Sequence, residues 1–269
     1  MNGPQVAKPQ HVLARRVEAL GAWGLGSLTG MGAFGIMFAD AMRLLFRRPF
    51  RVYLFIKQME FIGNKSLGVV LLTGLFTGMV MTFQIYRALR DFSSESIVGG
   101  LVAVSMAREL GPVLSALMVN ARAGSAIAAE VGTMRVTEQI DALFALGVNP
   151  VQYLFTPRLV AGMLMLPLLT AIANVTGVLG GYLVGVLLLG VDGGIFMAKV
   201  YDFVSLSDIM QGTVKAAVFG LILTHMGAYK GYTTTGGAEG VGRATTEAVV
   251  ASAVTILFSD YLITVFWQS

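Results

Sequence analysis

The feature that most restricts the fold is the stretch 159–191, which contains no charged residue. About 20 apolar residues suffice for a helix to cross the roughly 30 Å hydrocarbon core of a bilayer. This stretch is longer than one crossing needs, so we expect it to tilt, to kink near Pro167 or to extend beyond the bilayer. Only 13% of the chain is charged, whereas soluble domains carry about 25%. An ordinary soluble globular fold is therefore excluded.

Five stretches are apolar and long enough to cross a membrane. The sequence therefore predicts an all-α integral membrane protein with five transmembrane helices, an N-terminal interfacial or re-entrant helix and a cytoplasmic coupling helix. We divide it into an N-terminal cytoplasmic or interfacial segment, 1–65, and a transmembrane domain, 66–269. The predicted spans are 66–86, 96–121, 159–190, 209–229 and 248–267.

The segment 19–39 is also uncharged, and hydropathy alone would make it a span. It contains six glycines, which weaken helix propensity and apolar burial. A basic, partly apolar stretch that begins at Arg43 follows it. This combination favours a helix that lies in the interface or dips into one leaflet, and a sixth span remains the alternative.

The basic residues predict the orientation. With five spans and a cytoplasmic N-terminus, the inner segments hold 14 Lys and Arg residues and the outer loops hold three. Cytoplasmic loops of membrane proteins carry this excess of basic residues. We therefore expect the N-terminus inside and the C-terminus outside.

Glycines four residues apart recur in two of the predicted spans. Such spacing lets helix backbones approach closely in a membrane. The simplest interpretation is packing within one copy of the chain. The first span has Gly74 and Gly78, and the third has Gly177, Gly181 and Gly185.

Charged residues inside the predicted membrane region are the first candidate site. Arg108 and Glu109 stand midway along the second span, and Pro112 follows and is expected to distort the helix there. Intramembrane charges normally face a partner or a wet cavity. Lining of a cavity and a structural ion pair between helices are both open. Lys215 is a further candidate, unless it lies near the outer headgroups and extends its ammonium to them.

The second candidate site is the inner segment 129–146, which reads AEVGTMRVTEQIDALFAL. Val136, Ile140, Leu143 and Phe144 fall on one stripe of a helix, so we predict a short amphipathic coupling helix. Its polar face is mainly acidic and lacks the lysines expected of a lipid-binding surface. A protein partner therefore explains it better.

The chain lacks the sequence patterns of a soluble catalytic site. There is no G-x-x-x-x-G-K-[ST] phosphate loop, so ATP cannot bind by that route. The sequence has no cysteine, and its two histidines, His11 and His225, form no zinc motif. We therefore predict a non-catalytic subunit without cofactor, metal or nucleic-acid partner, and we expect His225 to serve in packing.

Two motifs resemble one known family. Residues 107–150, ARELGPVLSALMVNARAGSAIAAEVGTMRVTEQIDALFALGVNP, closely resemble the signature of the MlaE/YrbE permeases. Residues 236–252, GGAEGVGRATTEAVVAS, do so as well. The resemblance extends from about Arg43 to the C-terminus, and 141–147 is also similar to the loop by which ABC importer permeases touch their ATPase.

The resemblance implies more than the residues alone. Members are permease subunits of ATP-binding-cassette transporters that move phospholipids between the inner and outer membranes and maintain outer-membrane lipid asymmetry. They form a homodimer in the bacterial inner membrane, with two copies of a separate ATPase below, a ring of MCE-domain proteins above and, in some systems, a STAS-domain protein.

The resemblance also implies roles for the candidate residues. The cavity of the dimer, open to the periplasm, would be where Arg108 and Glu109 lie. From their own positions in the spans, we add Leu110, which would face acyl chains, and Lys215 to the predicted lipid site. The ATPase would dock on a surface that includes Glu138, Ile140, Asp141, Leu143, Phe144 and Gly147.

Two other classes stay open from the residues themselves. A secondary transporter coupled to ions or protons could use Arg108, Glu109 and Lys215, although such proteins usually have more spans and an internal repeat. A membrane-embedded enzyme would need a metal cluster or a nucleophile constellation, and the sequence shows neither.

Overall fold

The computed structural model describes residues 28–45 and 51–268. Within these ranges the chain is helical and contains no strand. Five helices are long and apolar enough to cross a membrane, which confirms the predicted fold class. We call them the first to fifth spans: Val52–Arg90, Glu95–Val136, Val151–Leu188, Leu206–Tyr232 and Gly237–Trp267.

Most of these helices extend past the apolar stretches by which the sequence identifies them. The first span consists of Val52–Ile62 and Leu67–Arg90, joined by a 3₁₀ turn at Asn64–Ser66. The proposed division after residue 65 falls at this turn, and whether it separates two domains stays a prediction. Arg122 of the second span holds the turn, because one of its Nη groups donates to the Phe61 carbonyl at 2.6 Å and to Ser66 Oγ at 2.9 Å.

Two shorter helices lie at opposite ends of the helix bundle. Gln139–Ala145 lies between the second and third spans, at the predicted cytoplasmic end, and we call it the docking helix. Gly193–Phe203, the outer helix, lies between the third and fourth spans. Asp192 begins the outer helix by accepting a hydrogen bond from the Ile195 N–H at 2.8 Å.

The small-residue motifs of the first and third spans pack against each other. The two helices lie side by side. A Cβ atom on Gly78 would meet the backbone of Gly177, and one on Gly74 would meet the backbone of Ala173. Because only glycine permits this approach, the motifs serve packing within one copy of the chain, as the sequence predicts.

Residues 28–44 form a helix against the inner ends of the third and fourth spans. The Phe34 carbonyl lies 3.0 Å from His225 Nε2, and Tyr229 donates to the Gly30 carbonyl at 3.1 Å. Thr156 Oγ1 donates to the Ala41 carbonyl at 3.1 Å. These contacts stay within about two turns of the inner helix ends, which supports an interfacial or re-entrant helix. The preceding part of the segment, 19–27, lies outside the described residues.

His225 contributes to packing, as the sequence predicts. It is 2% exposed, and its ring meets that of Phe34 edge to face, with centroids 4.2 Å apart. This aromatic contact helps to fix the N-terminal helix on the fourth span.

We predict opposite effects of the same substitution at two glycines of the first span. Gly78→Ala should lower the free energy of unfolding by about 2 kcal/mol, because the new methyl group meets backbone atoms that cannot move aside. Gly68→Ala is the control, since a Cβ there meets nothing within 4 Å. It should be neutral or stabilise the helix by up to about 1 kcal/mol. Thermal unfolding in detergent measures both, and equal midpoints would contradict the packing account.

Candidate functional site

The second span is irregular where its two charged residues stand. Met106–Leu110 is a π-helical turn, in which the Gly111 N–H donates to the carbonyl of Met106, five residues earlier. Pro112 has no N–H, and its ring would clash with the carbonyl of Arg108 in a regular helix. The wider turn removes this clash, and such turns are frequent at functional sites. The distortion predicted before Pro112 therefore takes this form.

Arg108 pairs with Asp208 at the start of the fourth span. Arg108 Nε lies 2.5 Å from Asp208 Oδ1, and the Asp208 side chain is only 2% exposed. Asp208 Oδ2 also accepts from the backbone N–H and the hydroxyl of Ser205, both at 2.8 Å. The Asp208 N–H in turn donates to Ser205 Oγ at 3.3 Å, and with the bond from the Ser205 N–H this forms a capping box that begins the fourth span. Asp208 therefore holds the guanidinium of Arg108 in a fixed position.

Lys215 is fully buried between two carboxylates. Its Nζ lies 2.5 Å from Glu109 Oε2 and 2.8 Å from Asp260 Oδ1, and its side chain is 0% exposed. The Thr264 hydroxyl donates to the Asp260 carbonyl at 2.8 Å and lies 3.4 Å from the other oxygen of Glu109. The alternative in which Lys215 extends to the outer headgroups is wrong, because the carboxylates of the second and fifth spans hold its ammonium inside the bundle.

These two sets of ion pairs meet at the adjacent residues Arg108 and Glu109, and we call them together the charged cluster: Arg108, Glu109, Asp208, Lys215 and Asp260. It joins the second, fourth and fifth spans and carries one more negative than positive formal charge. It lies in the outer half of the bundle, since Asp260 stands about two turns before the outer end of the fifth span. The side chains of Arg108 and Glu109 are 42% and 39% exposed. The structure thus shows the ion pairs between helices, and the lining of a cavity by Arg108 and Glu109 stays a prediction.

Leu110 does not belong to the charged cluster. It packs against a separate apolar cluster built from Val98, Val102, Met106 and Phe196. The structure therefore brings three of the four predicted cavity residues together, and the fourth lies beside them along the same π-helical turn.

The predicted coupling helix over 129–146 is two helices. Residues 129–136 belong to the last helical segment of the second span, Ser125–Val136, and the docking helix Gln139–Ala145 is separate. Glu138, with φ of 60°, adopts a left-handed conformation between them. An ion pair between Arg135 and Asp141, 2.9 Å long, crosses this turn.

The apolar stripe predicted for this segment also divides. Ile140 is fully buried in the larger apolar core of the bundle, which includes Ile127, Phe155 and Phe219. Leu143 packs against the same core. Phe144 is 56% exposed and Leu146 is 77% exposed. Of the predicted stripe, Phe144 therefore offers the larger free surface to a partner, and the neighbouring Leu146 adds to it.

Gly147 ends the docking helix. Its φ is +69°, which a glycine adopts without strain. The Gly147 N–H donates to the Phe144 carbonyl at 3.0 Å, and the Val148 N–H donates to the Leu143 carbonyl at 2.9 Å. This pair of bonds is a Schellman motif. Gly147 thus fixes the direction of the chain after the helix.

Asp208 and Asp260 are the site residues that sequence reasoning missed. Asp260 is a single charged residue in the apolar part of the fifth span. The same kind of signal pointed to Lys215, so Asp260 could have been predicted as a site residue from the sequence. Asp208 gives no such signal, because it lies beside the polar outer loop. Among the described residues, no group of His, Asp or Glu side chains is arranged to hold a metal ion.

Comparison with known proteins gives a consistent result. The family model described as Permease MlaE matches residues 55–266. A "Probable ABC transporter permease protein" of Rickettsia bellii is 46% identical over 234 residues, which cover 87% of this chain and 90% of that protein. The "Intermembrane phospholipid transport system permease protein MlaE" of Haemophilus influenzae is 39% identical over 251 residues, or 92% of this chain and 95% of that one.

A chloroplast protein of a plant is also similar to this chain. The protein TRIGALACTOSYLDIACYLGLYCEROL 1 of the Arabidopsis thaliana chloroplast is 41% identical over 212 residues. The match covers 79% of this chain and 61% of that protein.

The charged cluster predicts a strong dependence of stability on Lys215. Lys215→Met should lower the free energy of unfolding by about 3 kcal/mol, because it leaves Glu109 and Asp260 close together without a cation. The triple variant Lys215→Met/Glu109→Gln/Asp260→Asn should recover most of this loss. Thermal unfolding in detergent checks both expectations.

A matched control is Lys199→Met on the outer helix. Lys199 pairs with Asp202 at 3.0 Å, but both side chains are partly exposed. Loss of such a surface pair should change stability by less than about 1 kcal/mol. Equal losses of stability in Lys199→Met and Lys215→Met would show that the buried ion pairs stabilise the fold no more than a surface pair does.

Proposed function

The chain belongs to the MlaE permease family, and from this premise we propose that it moves phospholipids between the inner and outer membranes as the permease subunit of an ABC transporter. This transport would maintain the lipid asymmetry of the outer membrane. Its five apolar helices make the chain a multi-pass membrane protein. The names of the Haemophilus and Rickettsia relatives support the phospholipid cargo and the transporter class, and we place the chain in the bacterial inner membrane.

The observation that carries this proposal is the partly exposed charged cluster inside an apolar bundle. Arg108 uses Nε for Asp208, and its two Nη groups have no ion-pair partner within the described ranges. A guanidinium binds phosphate through two parallel N–H groups. Arg108 would bind the phosphate of the lipid, while Glu109 and Lys215 would hold the spans that shape the cavity. Leu110 would contact the acyl chains.

ATP hydrolysis would come from a separate subunit that binds the docking helix. The exposed Phe144 and Leu146 give this subunit an apolar contact, and Glu138 and Asp141 give it acidic ones. Ile140 and Leu143 would link that contact to the core of the bundle. Two copies of the ATPase would serve two copies of the permease.

The fifth span supports a homodimer. Only 11% of the residues in its most apolar stretch are buried, the smallest share among the five spans. Its exposed side chains include Val250, Val254, Phe258 and Tyr261. This surface would pack against lipid or a second copy, so that the two charged clusters border one cavity. An MCE-domain ring above the outer ends and, in some systems, a STAS-domain protein bound to the ATPase would complete the transporter.

A secondary transporter driven by ions or protons is the second candidate. The observation that favours it is the burial of Lys215 between two carboxylates, an arrangement also used in intramembrane proton relays. It would need neither an ATPase nor the exposed apolar residues of the docking helix.

Removal of the Arg108 guanidinium should reduce the lipid that co-purifies with the assembled transporter. We expect Arg108→Ala to lower bound phospholipid per complex roughly tenfold, the effect of losing charge-assisted hydrogen bonds to the phosphate. Quantitative mass spectrometry of the extracted lipid measures this. Arg243→Ala is the control, because Arg243 is exposed and, among the described residues, its ion pair is with Glu247 at the inner end of the fifth span.

Two outcomes of that experiment would contradict a headgroup role. One is normal lipid occupancy in a well-assembled Arg108→Ala complex. The other is failure to assemble, because Asp208 would then be left buried without its cation and the role of Arg108 would be structural.

An acidic residue at Phe144 should release the ATPase while the permease still inserts. Phe144→Asp places a charge in the proposed contact but leaves the packing of Ile140 and Leu143 intact. Tyr201→Asp is the control, since Tyr201 is 77% exposed on the outer helix. Co-purification of the ATPase with the permease, and ATPase activity, are measured. An intact, active complex of Phe144→Asp would show that the docking assignment is wrong.

A further inference from the structure

A polar cavity lies away from the charged cluster, at the inner ends of the first three spans. It measures about 560 Å³, within the range of about 300–1,000 Å³ usual for small-molecule sites. We call it the inner pocket. Its polar lining includes Lys57 and Gln58 of the first span, Glu130 and Thr133 of the second, and Tyr153 and Arg158 of the third.

Arg158 is the buried charge of the inner pocket. Its side chain is 4% exposed, and one Nη lies 2.9 Å from Glu130 Oε2. The other Nη donates to the Leu154 carbonyl at 2.7 Å. Its Nε–H has no acceptor among the described residues. A buried guanidinium with an unused donor is a binding group for an anionic oxygen, because an unmet buried donor is unfavourable.

The other polar groups complement this donor. Lys57 is exposed at the rim and makes no ion pair within the described ranges. Gln58 Oε1 is buried without a hydrogen-bond donor there. Glu130 neutralises Arg158, so Lys57 gives the inner pocket a net formal charge of one positive unit. Lys57 therefore offers an open donor for an anion, while the Arg158 Nε–H and Gln58 Oε1 are buried in the pocket wall and become available when side chains shift.

The depth of the inner pocket matches the headgroup layer of the inner leaflet. Tyr153 stands in the first turn of the third span, and the guanidinium of Arg51 lies 5.1 Å from the centre of its ring. Tyrosines and basic residues concentrate at this level of a membrane. Leu54, Met134 and Leu154 supply apolar lining beside the polar groups. Phosphate, polar groups and acyl carbons of one lipid would thus meet matching surfaces.

We propose that the inner pocket binds the headgroup of a phospholipid from the inner leaflet. Lys57 Nζ donates to its phosphate oxygens, and a shift of side chains in the pocket wall brings the Arg158 Nε–H to the same phosphate and Gln58 Oε1 to the hydroxyl or ammonium group beyond it. This inference rests on the proposed transport of phospholipids and adds a second lipid position, next to the docking helix, since Gln139 also lines the pocket.

Site-specific photo-crosslinking tests this position in the assembled transporter. p-Benzoylphenylalanine replaces Thr133, which lines the inner pocket, in cells grown with ³²P-phosphate. The matched control position is Thr137, one turn further on and outside the lining. A third position, Leu110, reports lipid at the charged cluster. Because the probe inserts into C–H bonds, inorganic phosphate gives no adduct, and mass spectrometry identifies a diacyl lipid.

We expect a phospholipid adduct at position 133 that exceeds the one at position 137. Lys57→Gln and Arg158→Gln should each reduce it roughly tenfold, as loss of a charge-assisted contact predicts. Lys65→Gln, which removes a basic residue of the same span outside the pocket, should leave it unchanged. The yield of complex with ATPase confirms that each variant assembles, and Lys57, being exposed, tests the site without disturbing the core.

Three outcomes would overturn the inner pocket as a lipid site. The first is no adduct at position 133 while position 110 is labelled, which leaves the proposed transport intact. The second is equal labelling at 133 and 137 that Lys57→Gln does not change, as expected of bulk lipid. The third is a protein adduct with the ATPase, which would make the pocket part of the subunit contact. Loss of labelling at position 110 as well would instead count against the transport proposal itself.

Discussion

The structure depends on a buried ammonium group. Lys215 is enclosed by the bundle and lies within 2.8 Å of carboxylates from two other spans. A charge at membrane depth is unfavourable by a few kcal/mol unless it is paired. The second and fifth spans must therefore stay against the fourth, or each would expose an unpaired charge. Asp208 and Arg108 add a further bond between the second and fourth spans. The charges thus set the arrangement of the helices around the site.

The second span connects this cluster to the inner end. It carries Arg108 and Glu109 in one π-helical turn and Arg122 in a second one, Asn120–Gly124. Arg122 holds the 3₁₀ turn of the first span, and Arg135 pairs with the docking helix. One helix therefore touches the proposed lipid cavity, the turn in its neighbour and the proposed ATPase contact. Its π-helical turns are places where the backbone can change its winding, which suits transmission between these positions.

The sequence predicts the spans and the charges better than it predicts their partners. The five spans follow from apolar length alone, and close packing within one copy of the chain follows from the glycine spacing, but the pairing of the first span with the third does not. The pairing of Arg108 with Asp208 does not, because it depends on the register of two helices 100 residues apart. The break in the predicted helix 129–146 rests on a left-handed Glu138, and a glutamate gives no warning of that conformation. Because the sequence does not show this break, it also does not show which face of the docking helix is buried. That face is known only from the structure.

The most direct test of the central claim is ATP-driven phospholipid transfer by the purified transporter. The permease, its ATPase and the MCE-domain protein would be reconstituted in vesicles that contain labelled phospholipid, and transfer to acceptor vesicles would be followed. We predict transfer that requires ATP hydrolysis and that Arg108→Ala abolishes while the complex remains assembled. Transfer that is independent of ATP and instead follows an imposed ion or proton gradient would contradict the account and favour a secondary transporter.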